Sequence, residues 1–374
     1  MKKYSPKPFN RYLVCVEHGI FDSYPCPWPN CPNGIGEDSF SVDSFIKDKP
    51  PQIHYRRRWN SSIDSNYYYS WEIDNYPLWF SAKNILWNQA RRLGLLKEQN
   101  NNLVFHYTNL TSLVGIIESK TIWLSDYSYL NDARELIHGR EIVANVADEI
   151  TTQYNSNKTK SLLNSWHKSA LNSKQRVCIA SFSSDSDSLS QWRAYGSVAI
   201  GFSPNLLSMH ANHALLAPVN YDYSIQKKLI KVYLNHLIQS YEADLSKNLI
   251  DQIPDIYHRF GQILEVIAFF KDSSFKDEQE YRLVYVEHPE LEGFADLKLP
   301  PKRFRIYKNR IIPYVVSSEV FPNPHEEKFR ELGISLIVLG PGSDTTLESG
   351  LREFLDSNKM YNVVITKSNV PYRT

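Results

Sequence analysis

Four residues of the types that bind zinc lie within the first 31 positions. In CVEHGIFDSYPCPWPNC, two residues separate Cys15 from His18, and four separate Cys26 from Cys31. Zinc takes thiolate and imidazole ligands in a tetrahedron, which two ligand pairs on tight turns can supply. The spacing predicts a structural zinc site in which four protein ligands leave no open coordination position. The alternative is three reduced cysteines and a surface histidine, whereas Cys178 is expected to be a buried core thiol.

Three later stretches place polar side chains at the ends of predicted strands. They are His106, Tyr107 and Thr108 in the first stretch, Ser181, Ser183, Trp192, Arg193 and Tyr195 in the second, and Glu278 and Glu280 in the third. A carboxylate stabilises the positive charge that develops on a sugar ring during glycosidic cleavage. If the third stretch is extended, Glu278, Glu280 and Arg282 share one side of it. The ordinary alternatives are a core histidine, a serine-rich loop and a solvated pair of glutamates.

The elements that must position these side chains form a mixed pattern from residue 103 onward. Apolar runs predict strands at 103–107, 121–125, 176–184, 198–203, 281–288, 304–316, 335–342 and 362–368. Amphipathic segments predict helices at 110–119, 131–154, 223–248, 250–271 and 345–358. Asn109 or Thr111 is expected to cap the first helix, and Asp132 with Glu135 to open the second. The pattern predicts an α+β core, a mixed sheet with a helical insertion and a βαβ-like end.

The composition is that of an ordinary globular protein. The 374 residues are 42% hydrophobic and carry a formal net charge of +1, which gives no global attraction to nucleic acid or membrane. No apolar run approaches the roughly 20 residues of a membrane span, and the N-terminus lacks the apolar run of a signal peptide. These features predict a cytoplasmic protein with no membrane partner.

The length predicts two to three domains. We expect a zinc-binding head at 1–50, an aromatic and arginine-rich linker with a helix at 51–102, and a main domain at 103–374. In the linker, three arginines at 56–58 lie near Trp59, Trp71 and the tyrosines at 67–69. This mixture can stack on bases and neutralise phosphates. The alternative, which we favour, is a linker that packs the head onto the main domain.

A glycine-rich turn, LGPGSDTT at 339–346, precedes the last predicted helix. Backbone N–H groups at such a turn can bind phosphate. The second half of a phosphate-loop motif is absent from the sequence, so a plain capped helix start is the favoured interpretation.

The stretch FHYTNLTSLVGIIESKTIWLS resembles the first motif of the ADP-ribosyltransferase fold, as found in poly(ADP-ribose) polymerases and RNA phosphotransferases. The resemblance implies that His106 and Thr108 hold the adenosine ribose of NAD. It also implies a serine on a middle strand and an aromatic platform at the nicotinamide, formed by residues such as Tyr107, Trp192 or Tyr195. Arg193 would contact the pyrophosphate. Glu280 matches the catalytic position, and Glu278 its upstream partner. Tyr107 departs from the glycine that usually follows the histidine.

From residue 103 the chain is also similar to a bacterial defence-associated family known as a domain of unknown function. The motifs that carry this similarity are His106–Thr108, Leu130–Asp132 with Glu135, Trp192–Gly196, Glu280–Arg282 and Ser368–Arg373. It implies a toxin that transfers ADP-ribose from NAD to a macromolecule, with nucleic acid, RNA above all, favoured over protein as the acceptor. A controlling antitoxin is an implied partner. The alternatives are an NAD glycohydrolase and a catalytically inactive, zinc-containing nucleic-acid-binding or sensor protein.

The zinc site generates the first testable prediction. Purified protein should contain about one zinc per chain by atomic emission, since one set of four ligands binds one ion. Replacing both Cys26 and Cys31 with serine should remove the metal, whereas replacing the core residue Cys178 should leave it in place. Wild-type protein without zinc would contradict the site.

Overall fold

The computed structural model describes most of the chain from residue 103 onward. The described residues are 103–129, 135–152, 160–161, 163, 175–211, 214–246, 263–287, 299–307, 309–319 and 331–371, with the backbone of 10–15, 19–21 and 40–44. The aromatic linker and three of the four predicted zinc ligands, His18, Cys26 and Cys31, lie outside them. Among the described residues, no group of three or more His, Cys, Asp or Glu side chains could hold a metal.

Strands and helices follow one another as an α+β chain. The strands are β1 (Asn10–Cys15), β2 (Gly19–Phe21), β3 (Phe40–Ser44), β4 (Val104–Thr108), β5 (Trp123–Asp126), β6 (Val177–Ser183), β7 (Val198–Phe202), β8 (Leu215–Pro218), β9 (Glu280–Val286), β10 (Arg303–Tyr307), β11 (Arg310–Val316), β12 (Ile334–Leu339) and β13 (Val364–Lys367). The helices are α1 (Leu110–Ser119), α2 (Glu135–Thr151), α3 (Leu189–Tyr195), α4 (Pro204–His210), α5 (Tyr223–Ser246), α6 (Ile263–Ile267) and α7 (Thr345–Ser357). In the described part, helix length and hydropathy rule out a membrane-spanning helix.

The chain divides into two compact units. The first combines residues 1–96, 140–173 and 223–266, and the second combines 97–139, 174–222 and 267–374. The first unit therefore contains most of α2 and all of α5. The division into three consecutive domains stays a prediction.

In the first unit, β2, β1 and β3 form an antiparallel sheet in that order. Helix α2 buries apolar side chains at helical spacing, such as Val143, Val146 and Ile150, and α5 does so with Ile230 and Leu234. The Lys227 ammonium on α5 lies 2.5 Å from a Glu149 carboxylate oxygen on α2. Apolar stripes of this kind stabilise helices by burial more than intrinsic helix propensity does.

Ten of the described strands form the sheet of the second unit. Its main order is β10-β11-β5-β6-β4-β7-β12-β13, while β9 pairs with both β6 and β8. The pairs are antiparallel except β12 and β13, which run parallel and are connected through α7. The predicted βαβ-like end is therefore confirmed. Cys178 lies fully buried in the core, as expected.

Strand β6 is the branch point that creates the candidate site. On one side it pairs with β9 over its whole length, from Val177 to Ser183. On the other side, β5 pairs at Cys178 and Ile179, but β4 pairs only at Ser183. Strands β4 and β5 therefore diverge beside Ser181, and the stretch of β6 between the two ladders faces the gap between them.

Local sequence explains the entry to this region. The Asn109 side chain accepts a hydrogen bond from the Ser112 N–H at 2.8 Å, which confirms it as the cap of α1. Leu113 and Ile117 bury the inner face of that helix. The helix ends at Lys120, which adopts a left-handed conformation with φ 51°.

Two sequence-based expectations for strands were wrong. Residues 304–316 form two strands, β10 and β11, that pair as an antiparallel hairpin closing on Tyr307 and Arg310. Apolar and aromatic residues occur on both sides of this connection, so the sequence pattern resembles one long strand. Strand β8 was missed because its four residues, LLAP, lack alternation and end in proline.

The end of the β6–β9 ladder generates a stability prediction. Glu287 and Arg176 form a buried ion pair, with Arg176 Nε 3.0 Å from Glu287 Oε2. Removing one partner of such a pair leaves a buried charge uncompensated. Glu287→Ala should therefore lower the free energy of unfolding by about 3–5 kcal/mol in chemical denaturation.

A matched control is Glu348, whose ion pair with Lys367 at 2.8 Å is largely exposed. Glu348→Ala should cost less than about 1 kcal/mol. Equal losses for the two variants would contradict the stabilising role of the buried pair.

Candidate functional site

His106 lies in the gap where β4 and β5 diverge. Its Nδ1 lies 2.9 Å from the carbonyl oxygen of Ser181, and its ring packs against Phe182 with centroids 5.6 Å apart. Since a carbonyl only accepts, Nδ1 must carry the proton and donate it. A neutral His106 then keeps a lone pair on Nε2, which can accept a hydrogen bond from a ligand hydroxyl.

The protonation state of His106 follows from its surroundings. Burial lowers its pKa below the ordinary 6.5, the hydrogen bond to Ser181 acts in the opposite direction, and the charge of Arg305 lowers the pKa further. The imidazole is therefore neutral at pH 7, which favours an acceptor role for Nε2.

Glu280 opens β9 and is only 6% exposed. Arg282 binds it with two hydrogen bonds, Nε to Oε1 at 2.8 Å and Nη2 to Oε2 at 2.9 Å. Lys271 Nζ donates to Oε2 at 3.0 Å. Two buried cations thus hold a buried carboxylate in a fixed orientation.

The charges around Glu280 decide its ionisation. Burial alone would raise its pKa, but the charge and hydrogen bonds of Arg282, then Lys271, then the Ser181 hydroxyl outweigh burial and lower the pKa to about 2. The carboxylate is therefore ionised throughout the physiological range. Because the pKa is lowered, its contribution to folding stability is complete above the ordinary value of 4.5 and is lost as the pH falls towards 2.

Glu278 reaches the same cluster by a different route from the one expected. It ends a 3-10 turn, Ser273–Glu278, and Gln279 then adopts a left-handed conformation with φ 44°. The segment is therefore not extended at Glu278, and only Glu280 and Arg282 share a side of β9. The Glu278 carboxylate lies 2.5 Å from Lys271 Nζ, with its side chain 27% exposed.

Ser181 contacts both His106 and Glu280, whereas the hydroxyl of Ser183 bonds only to nearby backbone groups. The Ser181 carbonyl binds His106, its hydroxyl binds Glu280, and the residue is exposed. The buried Ser183 hydroxyl donates to the Glu278 carbonyl at 2.8 Å and accepts from the Asp185 N–H at 3.1 Å. A ligand at this site would therefore approach from the Ser181 side.

Tyr107 and Trp192 fill the interior instead of lining an open surface. Both are nearly buried, and their rings meet edge to face with centroids 4.6 Å apart. The Tyr107 hydroxyl donates to the Asp185 carbonyl at 2.8 Å and accepts from the Ser188 N–H at 2.9 Å. Stacking on nicotinamide does not fit either ring, and of the three aromatic residues predicted for this role only Tyr195, at 48% exposure, reaches solvent.

Asp187 holds two of the sequence motifs together. It accepts hydrogen bonds from Trp192 Nε1 and from the Asn369 N–H, both at 2.8 Å, and it also binds the Ser368 hydroxyl. The C-terminal segment is thereby tied to the loop before α3. Sequence reasoning missed Asp187, although its place in the serine-rich loop before the tryptophan was visible.

A close backbone approach explains the glycine that ends α3. Gly196 has φ +139°, and a Cβ there would lie 2.5 Å from the Thr108 carbonyl oxygen. Only glycine fits without a shift of the backbone. This contact brings α3, with the exposed Arg193 and Tyr195, to the end of β4, where the buried Thr108 lies.

A buried lysine and a half-buried tyrosine near Glu280 were also missed from sequence. Lys271 is 5% exposed and lies between both glutamates, with Nζ 4.7 Å from the Phe275 ring centroid. The Tyr221 hydroxyl accepts from the Glu280 N–H at 2.9 Å, and burial raises the pKa of Tyr221 to about 12. The signal for Lys271 was present as a lysine directly after an apolar helix end, AFFK.

The glycine-rich turn at 339–346 is a capped helix start. The Asp344 side chain accepts from the Leu347 N–H at 2.8 Å, which fills the position that a phosphate would need. The favoured interpretation from sequence agrees with this geometry.

Chemically, the arrangement provides an ionised carboxylate beside a serine hydroxyl and a neutral imidazole. Such a carboxylate stabilises positive charge on a sugar ring, and the other two groups can bind sugar hydroxyls. The partly exposed Glu278 is the carboxylate that an incoming nucleophile can reach. These groups come from β4, β6, β9 and the turn before β9.

A family model described as "Protein of unknown function (DUF2971)" matches residues 191–283. This range runs from α3 into β9 and contains Trp192–Gly196 and Glu280–Arg282, two of the five motifs seen in the sequence. No curated protein and no solved structure matches the chain. All five motifs stay predictions.

Proposed function

We propose that the chain is an ADP-ribosyltransferase that transfers ADP-ribose from NAD to a macromolecule, with nucleic acid, RNA above all, as the favoured acceptor. The observation that supports it is the position of Ser181, whose carbonyl accepts a hydrogen bond from His106 and whose hydroxyl is hydrogen-bonded to Glu280. A role as an anti-phage toxin with an antitoxin, and a structural zinc in the N-terminal head, rest on sequence resemblance and spacing alone.

The proposed roles follow from the chemistry of each group. The bond between nicotinamide and C1′ breaks, nicotinamide leaves with the electron pair, and positive charge develops on the ribose. Glu280, ionised and held by Arg282, stabilises that charge because it requires no reorganisation during the reaction. His106 Nε2 accepts a hydrogen bond from a ribose hydroxyl of NAD, and Tyr195 with Arg193 contacts the nicotinamide and pyrophosphate side.

Transfer requires a base for the acceptor. The acceptor nucleophile forms the new bond to C1′, and its proton passes to Glu278, whose carboxylate is more accessible than that of Glu280. Lys271 lies between the two carboxylates and keeps their charges apart. With water as nucleophile, the same steps give NAD hydrolysis.

A second candidate function rests on the same cluster. Both oxygens of Glu280 hold hydrogen bonds to protein cations, an arrangement typical of a structural ion pair. A nucleic-acid-binding protein without turnover would use the network only to stabilise β9. NAD labelled in its adenylate half, incubated with the protein and RNA, DNA or protein, separates these functions: label on an acceptor supports transfer, ADP-ribose alone supports hydrolysis, and unchanged NAD supports binding without turnover.

Replacing Glu280 tests its catalytic role. Glu280→Gln should lower turnover by about 100- to 1,000-fold, since transition-state stabilisation of about 3–4 kcal/mol is lost, and should leave NAD binding nearly unchanged. The measurements are the single-turnover rate and the NAD dissociation constant from calorimetry.

A control is needed for folding. Glu280→Gln leaves the two cations Lys271 and Arg282 with only the Glu278 carboxylate, and this excess buried charge could destabilise the fold. The double variant Glu280→Gln with Lys271→Met restores charge balance, so its unfolding should resemble that of wild type while turnover stays low. Full NAD-dependent activity in either variant would remove Glu280 from the reaction.

Replacing His106 should act on binding instead of turnover. His106→Ala should weaken NAD binding by about 1–3 kcal/mol, since one ligand hydrogen bond is lost, with a smaller change in kcat. Because burial lowers the pKa of His106, wild-type affinity should be constant at and above neutral pH and fall in acid as the ring gains a proton. An unchanged affinity in a folded variant would assign His106 to a purely structural role.

A further inference from the structure

A basic segment outside the candidate site has no role in the proposed chemistry. Residues 302–310, KRFRIYKNR, contain five lysines and arginines and no acidic residue. Phe304 separates Arg303 from Arg305, and Ile306 and Tyr307 separate Arg305 from the next lysine. Alternation of this kind on a strand places the charged and the apolar side chains on opposite faces.

The hairpin of β10 and β11 realises this alternation. Pairing sets Arg305 opposite Ile312 and Tyr307 opposite Arg310, so these side chains share one face. The other face carries Phe304, Ile306 and Ile311, each of them strongly exposed. Strand β5 extends the first face, because Ser125 pairs with Tyr314 on β11.

Aromatic rings surround the Arg305 guanidinium on the first face. Its Cζ lies 5.9 Å from the ring centroids of both Trp123 and Tyr307. Trp123 stacks on Tyr314 with centroids 4.4 Å apart and an interplanar angle of 25°. Trp123 is 44% exposed and Tyr307 43%, so both rings also reach solvent. We call Trp123, Arg305, Tyr307, Arg310 and Tyr314 the aromatic platform.

The platform carries positive charge without a compensating carboxylate. Arg303 and Lys302 have acidic partners, Glu319 at 2.5 Å and Glu287 at 3.7 Å respectively. Arg305 and Arg310 form no ion pair among the residues that the structure describes. Arg305 Nη2 donates to the Ser125 hydroxyl at 2.9 Å, but its buried Nε has no hydrogen-bond partner within the described residues.

We propose that the aromatic platform binds single-stranded nucleic acid and presents it as the acceptor to the site at Ser181, an assignment that rests on the proposed function. Rings that reach solvent beside a guanidinium without an ion pair in the described part of the chain suit unstacked bases joined by phosphates. A duplex hides the faces of its bases and fits less well. The platform adjoins the site, because Ser125 pairs with Ile179, two residues before Ser181 on β6.

The experiment is fluorescence anisotropy of the full chain with a labelled oligouridine of about 12 nucleotides, within the usual length of single-strand sites. Trp123→Ala should weaken binding by about 10- to 100-fold, as expected for loss of base stacking, and Trp123→Phe should restore part of it. Arg310→Gln, at an exposed position, should flatten the slope of log affinity against log salt by about 0.7 if it contacts one phosphate.

Matched controls lie elsewhere on the surface. Tyr361 is exposed and Lys228 lies on an exposed face of α5, so Tyr361→Ala and Lys228→Ala should leave affinity unchanged. Ile306→Ser, on the opposite face of the hairpin, should also have no effect. Wild-type affinity in folded Trp123→Ala and Arg310→Gln, equally tight binding of a duplex of the same length, or a loss caused by Ile306→Ser would each overturn the platform.

A second readout separates this inference from the proposed function. Trp123→Ala should lose transfer of label from NAD to the oligonucleotide while its consumption of NAD by hydrolysis continues. Consumption of NAD without any oligonucleotide binding by wild type would overturn the platform and leave the NAD chemistry standing. Oligonucleotide binding that depends on Trp123, with no consumption of NAD, would overturn the acceptor role and the proposed transferase together.

Discussion

Buried charge must be balanced, and the start of β9 satisfies this requirement with two carboxylates and two cations. Arg282 and Glu280 lie on one side of β9. Lys271 precedes the 3-10 turn before that strand, and Glu278 is the last residue of the turn. Removing any one of the four would leave a net charge in a poorly solvated place. The turn, the register of β9 against β6 and the position of Ser181 therefore depend on the same ion pairs. An orientation fixed in this way is also what electrostatic stabilisation of a transition state needs.

The divergence of β4 and β5 at β6 leaves the Ser181 carbonyl open to His106. If β4 or β5 paired with β6 at Ser181, a backbone N–H of that strand would donate to the Ser181 carbonyl. Here the His106 side chain donates that hydrogen bond instead. A side chain in place of a backbone partner leaves room beside the strand and carries a second ring nitrogen toward that room. The candidate site thus arises where sheet pairing is incomplete, and the groups that can act there are those that replace the missing backbone hydrogen bonds.

Local pattern predicted the elements well and their partners poorly. The bounds of α1 and its cap at Asn109 followed from sequence because both depend on neighbours within a few residues. The β10–β11 hairpin was missed because apolar and aromatic residues occur on both sides of its connection, as they would in one long strand. The pairing of β6 with β9 could not be predicted, since it joins segments about a hundred residues apart. Likewise, Glu280 was visible as a residue that opens a strand, but its neutralisation by Lys271 depends on how the preceding turn folds. Trp192 was visible as an aromatic residue, yet its burial against Tyr107 is a tertiary contact.

The position of β10 has a consequence for colloidal behaviour. It is the terminal strand of the sheet order in the described structure, and one of its faces exposes Ile306, which is 83% accessible. An exposed apolar edge strand is a template for pairing with another chain, and natural proteins suppress such pairing with lysine and arginine along the strand. The basic residues of β10 therefore act as gatekeepers against aggregation. Replacing several of them with neutral residues would lower the solubility of the protein while leaving its fold unchanged.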